Sequence, residues 1–493
     1  MSGIICENLS FQYEGKSDDA LKGINLRIRS GEFVLLTGKS GCGKTTLTRC
    51  INGQVPHFYK GALQGRVLVD GLDTAKAESY EIAKRIGSVF QDPRSQFFTT
   101  NATDEVAFGC ENLALPANRI QNNVDEAFSG LGIGVLRGRS LFELSSGERQ
   151  KIAIASAYAM KPAVFVLDEP SANLDIRSTN MLADILRTLK NQGHTIIISE
   201  HRLYYLMALV DRILYMDKGI ITDEWTQQQA MRLSSEELMC KGLRSFSMEK
   251  LSMSANRSKD APAGPCRLDV WNVAVNLAGK PVLRQINFCT EKSLGCIIGI
   301  AGENGVGKTT LVKTLCGLTK EKAGEIHIAG RRLGKNKRAK ETYFVMQDAD
   351  YQLFTESVAD ELRFGNKSVP GLEEKIDDTL ALLGLAPYKE YHPLALSGGQ
   401  KQRVTIASAA LSPSRVLFFD EPTSGLDGES MRNVSRILIE LSQKGKLIFV
   451  ISHDVEFLVQ TCGRIIHIEQ GYVTEDFALD KGTISKLKEL LLK

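Results

Sequence analysis

Three features are missing from this sequence, and each absence excludes a class of protein. No apolar run approaches the roughly 18–20 residues of a membrane-spanning helix, which argues against a membrane-embedded protein. The 10 cysteines include no Cys-x-x-Cys pair, so we expect no zinc ribbon or iron–sulfur cluster, and a reduced cytosolic setting is the simpler interpretation. Lys and Arg number 61 against 58 Asp and Glu, a net charge of +3 that is too balanced to indicate nucleic-acid binding.

What is present is the composition of a globular protein. Charged residues make up 24% of the chain and hydrophobic residues 43%, and 493 residues are enough for about two to four domains. The opening MSGIICENLSFQYEG has no basic stretch followed by a long apolar one, so we expect no signal peptide. A short basic stretch, RRLGKNKRAK (331–340), we interpret as a solvated loop rather than a nucleic-acid-binding patch.

The sequence contains the same unit twice. FVLLTGKSGCGKTTLTRCINGQ (33–54) returns as IIGIAGENGVGKTTLVKTLCGL (297–318), and VFVLDEPSANLD (164–175) returns as VLFFDEPTSGLD (416–427). Each unit is far longer than a solenoid repeat, so we predict two whole domains, 1–240 and 267–493. The segment 241–266 contains Ser, Pro and Ala without apolar periodicity, which is typical of a linker.

A glycine-rich motif between a buried strand and a helix predicts a phosphate site in each unit. GKSGCGKT (38–45) and GENGVGKT (302–309) both match G-x-x-x-x-G-K-[ST], in which backbone N–H groups curl around the β- and γ-phosphates. We expect the lysines to neutralise phosphate charge and the threonines to ligate Mg²⁺. The predicted nucleotide-binding residues are Gly38, Ser40, Gly41, Gly43, Lys44, Thr45 and Thr46, and Gly302, Asn304, Gly305, Gly307, Lys308, Thr309 and Thr310.

Two carboxylates end a second buried strand in each unit, VFVLDE and VLFFDE. Asp168 and Asp420 lie where a hard oxygen ligand, or a partner through water, is needed for Mg²⁺. Glu169 and Glu421 suit a general base that orients and deprotonates the attacking water. Together with the phosphate motifs, these pairs predict hydrolysis of a nucleoside triphosphate.

LSSGE (144–148) and LSGGQ (396–400) lie at the same distance ahead of the two Asp–Glu pairs. On these motifs the sequence resembles the ABC-type ATPases over nearly its whole length. The resemblance implies an α/β fold in each P-loop domain, with a mostly parallel core sheet, a small antiparallel β subdomain and a helical subdomain. It implies an ATPase that uses ATP and Mg²⁺, and an intramolecular head-to-tail pair of domains. The residues that would cover the nucleotide of the opposite domain are Ser145 and Gly147, and Ser397, Gly398, Gly399 and Gln400.

The resemblance assigns roles to further residues. Gln91 and Gln347 match the family's Q-loop, which senses Mg²⁺ and water, so we count them among the metal and nucleotide ligands. His201 and His453 match the switch histidine that contacts the γ-phosphate, and we count them as catalytic with the two glutamates. Asp175 and Asp427 match the family's D-loop at the domain interface.

The two ATP sites are expected to be unequal. The family stacks an aromatic residue of the first strand on adenine; Tyr13 fills this place in the first unit and Leu277 in the second. LSSGE departs from the family's LSGGQ through Ser146 and Glu148. Both departures fall on the composite site built on Lys308, so we hypothesise that this site binds ATP more weakly or turns over more slowly.

The Q-loop segments indicate which ABC protein this is. QDPRSQFF (91–98) and QDADYQLF (347–354), followed by DEVAFG and DELRFG, resemble the ATPases of energy-coupling-factor transporters, which take up vitamins and transition-metal ions. The resemblance implies a peripheral location on the cytoplasmic face of the cell membrane, with an integral-membrane coupling protein and a small membrane substrate-binding protein as partners. The candidates for lining the docking grooves are Phe97, Phe98, Leu353 and Phe354, with ordinary core packing as the alternative.

Two other functions stay open. A tandem sugar-importer ATPase belongs to the same enzyme class, but its signature motifs and Q-loops usually look different. A tandem ABC protein that acts on the ribosome would have no membrane partner. The short mixed linker and near-neutral charge argue against that function, and we expect no nucleic-acid partner.

Overall fold

A computed structural model describes residues 3–251, 253, 266–290, 297–366 and 369–492. The chain divides into two units, Met1–Ser247 and Met248–Lys493, which we call the first and second domains. Residues 241–247 of the predicted linker belong to the first domain, where Leu243 and Phe246 are buried in the core. Residues 252 and 254–265 of that linker lie outside the described part of the chain.

The first domain begins with antiparallel strands and continues with alternating strands and helices. Its strands are β1 (Gly3–Tyr13), β2 (Leu21–Arg29), β3 (Phe33–Gly38), β4 (Gly61–Val69), β5 (Leu72–Asp73), β6 (Ile86–Val89), β7 (Val164–Asp168), β8 (Thr195–Ser199), β9 (Arg212–Asp217) and β10 (Ile220–Thr226). Its helices are α1 (Lys44–Ile51), α2 (Gln54–His57), α3 (Ser79–Ala83), α4 (Ala102–Asn112), α5 (Ala117–Gly130), α6 (Ser146–Ala159), α7 (Ile176–Asn191), α8 (Gln227–Ala230) and α9 (Ser235–Cys240).

The second domain repeats this order of elements. Its strands are β11 (Leu268–Leu277), β12 (Lys280–Cys289), β13 (Ile297–Ala301), β14 (Ala323–Ile328), β15 (Arg331–Arg332), β16 (Thr342–Val345), β17 (Val416–Asp420), β18 (Leu447–Ile451), β19 (Arg464–Glu469) and β20 (Tyr472–Ala478). Its helices are α10 (Lys308–Leu315), α11 (Lys335–Glu341), α12 (Val358–Arg363), α13 (Leu372–Leu382), α14 (Gly398–Leu411), α15 (Gly428–Gln443), α16 (Val455–Thr461) and α17 (Ile484–Leu492).

Each domain has a 6-stranded core sheet, in the order β10-β9-β3-β8-β7-β6 in the first and β20-β19-β13-β18-β17-β16 in the second. Neighbouring strands are parallel except β9 with β10 and β19 with β20. The central strands are continuous apolar runs because helices cover both faces of such a sheet; every residue of β3, FVLLTG, is buried. The predicted mostly parallel core sheet is confirmed.

Each domain also has a separate 4-stranded antiparallel sheet, in the orders β2-β1-β4-β5 and β12-β11-β14-β15. In β2, LKGINLRIR, buried and exposed residues alternate over its second half, as expected for a strand with one solvated face. The predicted small antiparallel subdomain is confirmed, and its first strand ends at Tyr13 in one domain and at Leu277 in the other.

Helices fill the segment between the edge strand and the next core strand of each domain. They are α4, α5 and α6 between β6 and β7, and α12, α13 and α14 between β16 and β17, which confirms the predicted helical subdomain. Ser156 of α6 donates a hydrogen bond to the Glu105 carbonyl of α4 at 2.9 Å, and so joins these two helices. Among the helices of the described residues, none has both the length and the apolar character of a membrane span.

The prediction of a solvated loop over 331–340 is wrong about the loop and right about the solvation of most of its side chains. This stretch forms β15 and nearly all of α11, and the Arg338 side chain is fully buried. Its guanidinium donates to both carboxylate oxygens of Glu321, at 2.6 and 3.2 Å, and to the Leu333 carbonyl at 2.8 Å. The ion pair with Glu321 and these hydrogen bonds stabilise the buried cation, whereas a count of basic residues does not show which of them faces inward.

Candidate functional site

The glycine-rich motif of the first domain connects β3 to α1, as the sequence predicts. Gly38, Gly41 and Gly43 have φ values of 149°, 76° and 108°. A Cβ atom at Gly38 would lie 2.2 Å from the Met216 carbonyl oxygen, and one at Gly43 would lie 2.6 Å from the Ala20 carbonyl oxygen. Glycine is required at these two positions because both the backbone conformation and the adjacent chain exclude a side chain.

Lys44 begins α1, and its ammonium group lies within the loop. Its Nζ donates to the Gly38 carbonyl at 3.0 Å and to the Lys39 carbonyl at 2.9 Å, and the residue is only 4% exposed. A buried ammonium held by carbonyl dipoles keeps a strong attraction for an anion. Ser40 and Gly41 are exposed at the tip of the loop, where their N–H groups are accessible to phosphate oxygens.

The second domain builds the same loop between β13 and α10. Gly302 and Gly307 have φ values of 144° and 105°, and a Cβ at Gly302 would lie 2.2 Å from the Ile468 carbonyl oxygen. Lys308 donates from Nζ to the Gly302 carbonyl at 2.8 Å and to the Glu303 carbonyl at 2.7 Å. Of the remaining predicted loop residues, Asn304 and Gly305 are exposed and Thr310 is half-buried.

The residues predicted to hold Mg²⁺ meet beside each loop. In the second domain, Thr309 donates from Oγ1 to Oδ2 of Asp420 at 2.7 Å, and burial raises the pKa of Asp420. In the first domain, burial and the negative charge of Glu169 raise the pKa of Asp168, against hydrogen bonds from Ser199 and Thr45. The buried Oδ1 of Asp168 has no hydrogen-bond partner among the described residues. A threonine hydroxyl beside a buried carboxylate fits Mg²⁺, which prefers oxygen ligands.

The predicted base of the first domain contacts the Q-loop glutamine and the switch histidine. Gln91 donates from Nε2 to Oε2 of Glu169 at 3.0 Å, and Nε2 of His201 lies 3.2 Å from Oε1 of Glu169. Glu169 follows directly after β7 and has a φ of 44°, a left-handed conformation that is rare outside glycine. This arrangement fixes the direction of the carboxylate at the carboxyl end of the core sheet.

The second domain differs in the partner of its histidine. Nε2 of His453 lies 2.9 Å from Oδ1 of Asn304 in the glycine-rich loop and 3.6 Å from Oε1 of Glu421. Glu421 has a φ of 49°, close to the value at Glu169. Gln347 is exposed in the segment that follows β16. The histidine therefore connects the loop with the predicted base in this domain.

The two signature motifs cap the first helices that follow them. Ser145 accepts a hydrogen bond from the Glu148 N–H at 3.2 Å, and the Glu148 carboxylate accepts one from the Ser145 N–H at 2.8 Å. Ser397 and Gln400 form the same capping box on α14. Gly147 packs against α7, since a Cβ there would lie 2.3 Å from Ser178 Oγ. Gly399 packs against the loop after β17, since a Cβ there would lie 3.2 Å from Leu426 Cδ2.

The two departures of LSSGE from the family pattern are accommodated within the first domain. A Cβ at Gly398, the counterpart of Ser146, would meet nothing within 4 Å, so this position tolerates a side chain. Glu148 forms an ion pair with Arg139 at 2.7 Å. Burial acts to raise the pKa of Glu148, but the hydrogen bonds from Ser145 and the ion pair with Arg139 lower it below its usual range.

One buried acid of the first site was missed by the sequence analysis. Glu200, next to His201, is 2% exposed and accepts from the N–H of Ser171 at 2.9 Å, from the N–H of His201 at 3.0 Å and from the Tyr205 hydroxyl at 2.8 Å. It joins the histidine segment to the turn after Glu169. The available signal was a charged residue directly after the apolar strand TIIIS, at the place where the second copy has Ser452.

The remaining predicted residues divide between the surface and the core. Phe98 and Phe354 are 74% and 75% exposed, whereas Leu353 is buried and Phe97 packs against the core. Asp175 and Asp427 each accept a hydrogen bond at the start of the long helices α7 and α15. Leu277 is 44% exposed at the end of its strand.

Comparison with known proteins assigns the family. Residues 21–172 and 283–424 match the family model described as ABC transporter. The chain is 43% identical over 483 residues to an ABC transporter ATP-binding protein of Treponema denticola, which covers 97% of this chain and 98% of that protein. It is 30% identical over 515 residues to YkoD of Bacillus subtilis, named as an HMP/thiamine import ATP-binding protein, with 98% of this chain and 94% of that protein covered.

A solved structure extends the likeness to the fold of the whole chain. The archaeal ribosome recycling factor aABCE1, in complex with the ribosomal stalk protein aP1, aligns with 98% of this chain and 92% of its own at a TM-score of 0.65. The sequence identity is 22%, so this likeness concerns the fold alone. The chain belongs to the ABC transporter family of ATP-binding proteins, and it is an ATP-hydrolysing enzyme with two ATP-binding domains.

Proposed function

We propose that this chain is the ATP-hydrolysing subunit of an energy-coupling-factor importer for a vitamin or a transition-metal ion. The observation that carries this proposal is the exposed phenylalanine that follows each Q-loop, Phe98 in one domain and Phe354 in the other. The 30% identity to YkoD, whose printed name is that of an HMP/thiamine import ATP-binding protein, supports the import of a small organic solute. The chain lies on the cytoplasmic face of the membrane as a peripheral subunit.

The hydrolytic chemistry follows from the contacts of the predicted base. Lys44 and Lys308 bind the β- and γ-phosphates, and the threonine–aspartate pairs would hold Mg²⁺, which would supply charge neutralisation at the phosphate oxygens. Glu169 accepts the proton of the attacking water on its carboxylate. Because Gln91 and His201 contact different oxygens of that carboxylate, they hold it in one orientation. Glu421 and His453 perform these steps in the second domain.

The two domains work as a head-to-tail pair. Ser397 and Gly399 of the second domain cover the nucleotide held by Lys44, and Ser145 and Gly147 cover the nucleotide held by Lys308. The N–H groups at the starts of α6 and α14 supply donors for the γ-phosphate, since both helices begin at these motifs. ATP must bind the closed pair more tightly than the open one, because only differential affinity drives a conformational change.

A matching apolar surface in each domain supports a membrane-embedded partner. Phe98 stacks on Phe108 with ring centroids 4.9 Å apart. The counterparts of these two residues in the second domain, Phe354 and Phe364, are both exposed. Large exposed apolar side chains that recur at the same place in both domains support an interaction site there. The coupling protein inserts cytosolic helices here, so that closure of the ATPase pair moves the membrane subunits.

The buried acid of each helical subdomain holds this surface in place. Oε2 of Glu105 accepts from the Phe98 N–H at 3.0 Å and from the Thr99 N–H at 2.9 Å. Oε2 of Glu361 makes the same bonds to Phe354 and Thr355 at 2.9 and 3.1 Å. A docking surface fixed by a buried carboxylate transmits movement without first having to be ordered.

Purification of the tagged chain from gently solubilised membranes tests this function. We expect mass spectrometry to recover one multi-span coupling protein and a small multi-span binder, whose ligand identifies the transported solute. Recovery of a periplasmic or surface sugar-binding protein with two permease subunits would favour a sugar importer. Recovery of ribosomes without an integral membrane protein would overturn the assignment to transport and leave the ATPase chemistry intact.

A further inference from the structure

Three side chains beside the first phosphate loop form a closed cluster of two aromatic rings and a guanidinium. Arg49 of α1 donates from Nη1 to the Tyr13 hydroxyl at 3.2 Å, and its Cζ lies 3.9 Å from the centre of the Tyr59 ring. The Tyr59 and Tyr13 rings meet edge to face, with centroids 6.4 Å apart at 89°. Tyr13 is thus restrained both at its hydroxyl and along its ring.

The cluster contacts the start of α1, where predicted nucleotide-binding residues lie. The Tyr13 hydroxyl is 3.1 Å from Oγ1 of Thr46, which follows Lys44 and Thr45 at the start of α1. Tyr13 pairs with Gly61 in the β1–β4 ladder, and Tyr59 lies two residues before that glycine. The segment 52–60 between α1 and β4 therefore brings Tyr59 beside Tyr13 and above the helix that begins at the phosphate site.

The second domain has no such cluster at the matching positions of its described residues. Leu277 stands in place of Tyr13, and Lys313 on α10 stands in place of Arg49. The chain between α10 and β14 is shorter, and β14 begins opposite Ala274, so Leu277 lies beyond the part of β11 that pairs with β14. Lysine also lacks the planar group that stacks on a ring while it donates to a second acceptor.

We propose that Arg49 and Tyr59 are positioning residues that hold Tyr13 ready to stack on the base of the nucleotide, so that the first domain recognises the base and the second domain binds through the phosphates. The proposal rests on the stacking role proposed for Tyr13. An aromatic ring that is already ordered loses little conformational entropy when a base stacks on it. The guanidinium supplies that order through one hydrogen bond and one cation–π contact.

Calorimetric titration of the full chain carrying Lys308→Ala isolates the first site. ATP and inorganic tripolyphosphate are the two probes, because tripolyphosphate has the phosphates and no base. We expect Tyr59→Ala and Arg49→Ala to weaken ATP binding roughly three- to tenfold. Tripolyphosphate binding should stay within about twofold of the parent, because the contacts of Lys44 are untouched. Tyr59→Phe keeps the ring and should keep the affinity for ATP.

Two controls separate this inference from the role of Tyr13. If Tyr13→Ala leaves ATP affinity unchanged, the stacking role itself fails and the inference fails with it. If Tyr13→Ala weakens ATP binding and neither Tyr59→Ala nor Arg49→Ala does, only the positioning role is overturned. If Tyr59→Ala and Arg49→Ala lower the affinity for ATP and for tripolyphosphate equally, the cluster acts on the phosphate site and the positioning role is overturned.

The matched chain carrying Lys44→Ala reports on the second site. We expect the ratio of ATP to tripolyphosphate affinity to be lower there than at the first site, since Leu277 offers no ring for the base. Equal ratios at the two sites would overturn base recognition as a difference between the domains.

Discussion

Glu169 and Glu421 have the same unusual backbone conformation in two copies of one unit. A left-handed φ at a residue other than glycine costs on the order of 1–3 kcal/mol, and such conformations cluster at functional sites. We expect the double variant Glu169→Gln with Glu421→Gln to lower ATP turnover by on the order of 10²–10⁴-fold while ATP still binds, because the amide accepts no proton from water. Phosphate release and equilibrium ATP binding measure the two effects.

Glu111→Gln with Glu374→Gln is the control for loss of charge, since both glutamates are exposed on the helical subdomains. This pair should leave turnover unchanged. Undiminished turnover in the Glu169 and Glu421 double variant would remove these residues from the base role.

Glu200 gives the first domain a stability that depends on pH. Burial raises the pKa of Glu200, and the negative charge of Glu169 adds to the shift, against hydrogen bonds from Ser171 and Tyr205. The stability linked to this acid is therefore full below the pKa of an unfolded glutamate, about 4.3, and is lost as pH rises through the higher folded value. Glu200→Gln removes the titration, so the stability advantage of the parent over the variant should shrink as pH increases.

Unfolding by urea at a series of pH values from mildly acidic to mildly basic measures this trend. The charge of Glu169 acts on the Glu200 carboxylate, which also accepts from the backbone N–H groups of His201 and Arg202, so the variant must be compared with the parent at each pH. If the difference in free energy of unfolding between the parent and Glu200→Gln stays constant or grows with pH, the raised pKa of Glu200 is contradicted.

At the scale of elements, the sequence predicts what depends on local pattern. The glycine-rich loop between β3 and α1 follows from the apolar run FVLLTG and from glycines that a crowded loop requires. The direction of a side chain in an irregular segment depends on distant packing instead. Phe97 turns inward and Phe98 outward, although they are neighbours in sequence. Glu200 is buried with partners from the turn after β7 and from its own segment after β8.

The exposed phenylalanines carry a prediction about the elements that follow the Q-loops. Phe98→Ser with Phe354→Ser should abolish recovery of integral membrane proteins with the tagged chain, because the apolar contact area is lost. ATP affinity of the purified chain should stay within about twofold of the parent. Copurification from solubilised membranes and calorimetry measure the two effects.

Tyr80→Ser provides the control for removing an exposed aromatic residue, since Tyr80 is 55% exposed on α3, which precedes β6, whereas Phe98 follows the Q-loop. This variant should recover the membrane proteins normally. Normal recovery by the phenylalanine double variant as well would show that the partner docks elsewhere.

At the scale of the whole molecule, the duplication separates what the two domains share from what they do not. Both have the loop lysine, the Thr–Asp pair and the left-handed glutamate. They differ in Tyr13 against Leu277, in Glu200 against Ser452 and in the partner of the switch histidine. We propose that the shared residues serve ATP hydrolysis, and we expect the differences to make the site built on Lys308 the weaker of the two. The sequence predicts the inequality from Leu277 and LSSGE, but it does not predict the different partners of the two switch histidines, which depend on packing between distant segments.

Titration of the Glu169→Gln and Glu421→Gln chain with ATP is the measurement to make first, because hydrolysis no longer obscures binding. The expected result is two bound ATP molecules per chain with two distinct affinities. With Lys308→Ala added, only the tighter ATP site should remain. With Lys44→Ala added instead, only the weaker ATP site should remain. A single ATP per chain, or two sites of equal affinity that respond equally to the two lysine substitutions, would contradict a chain with two working but unequal ATP sites.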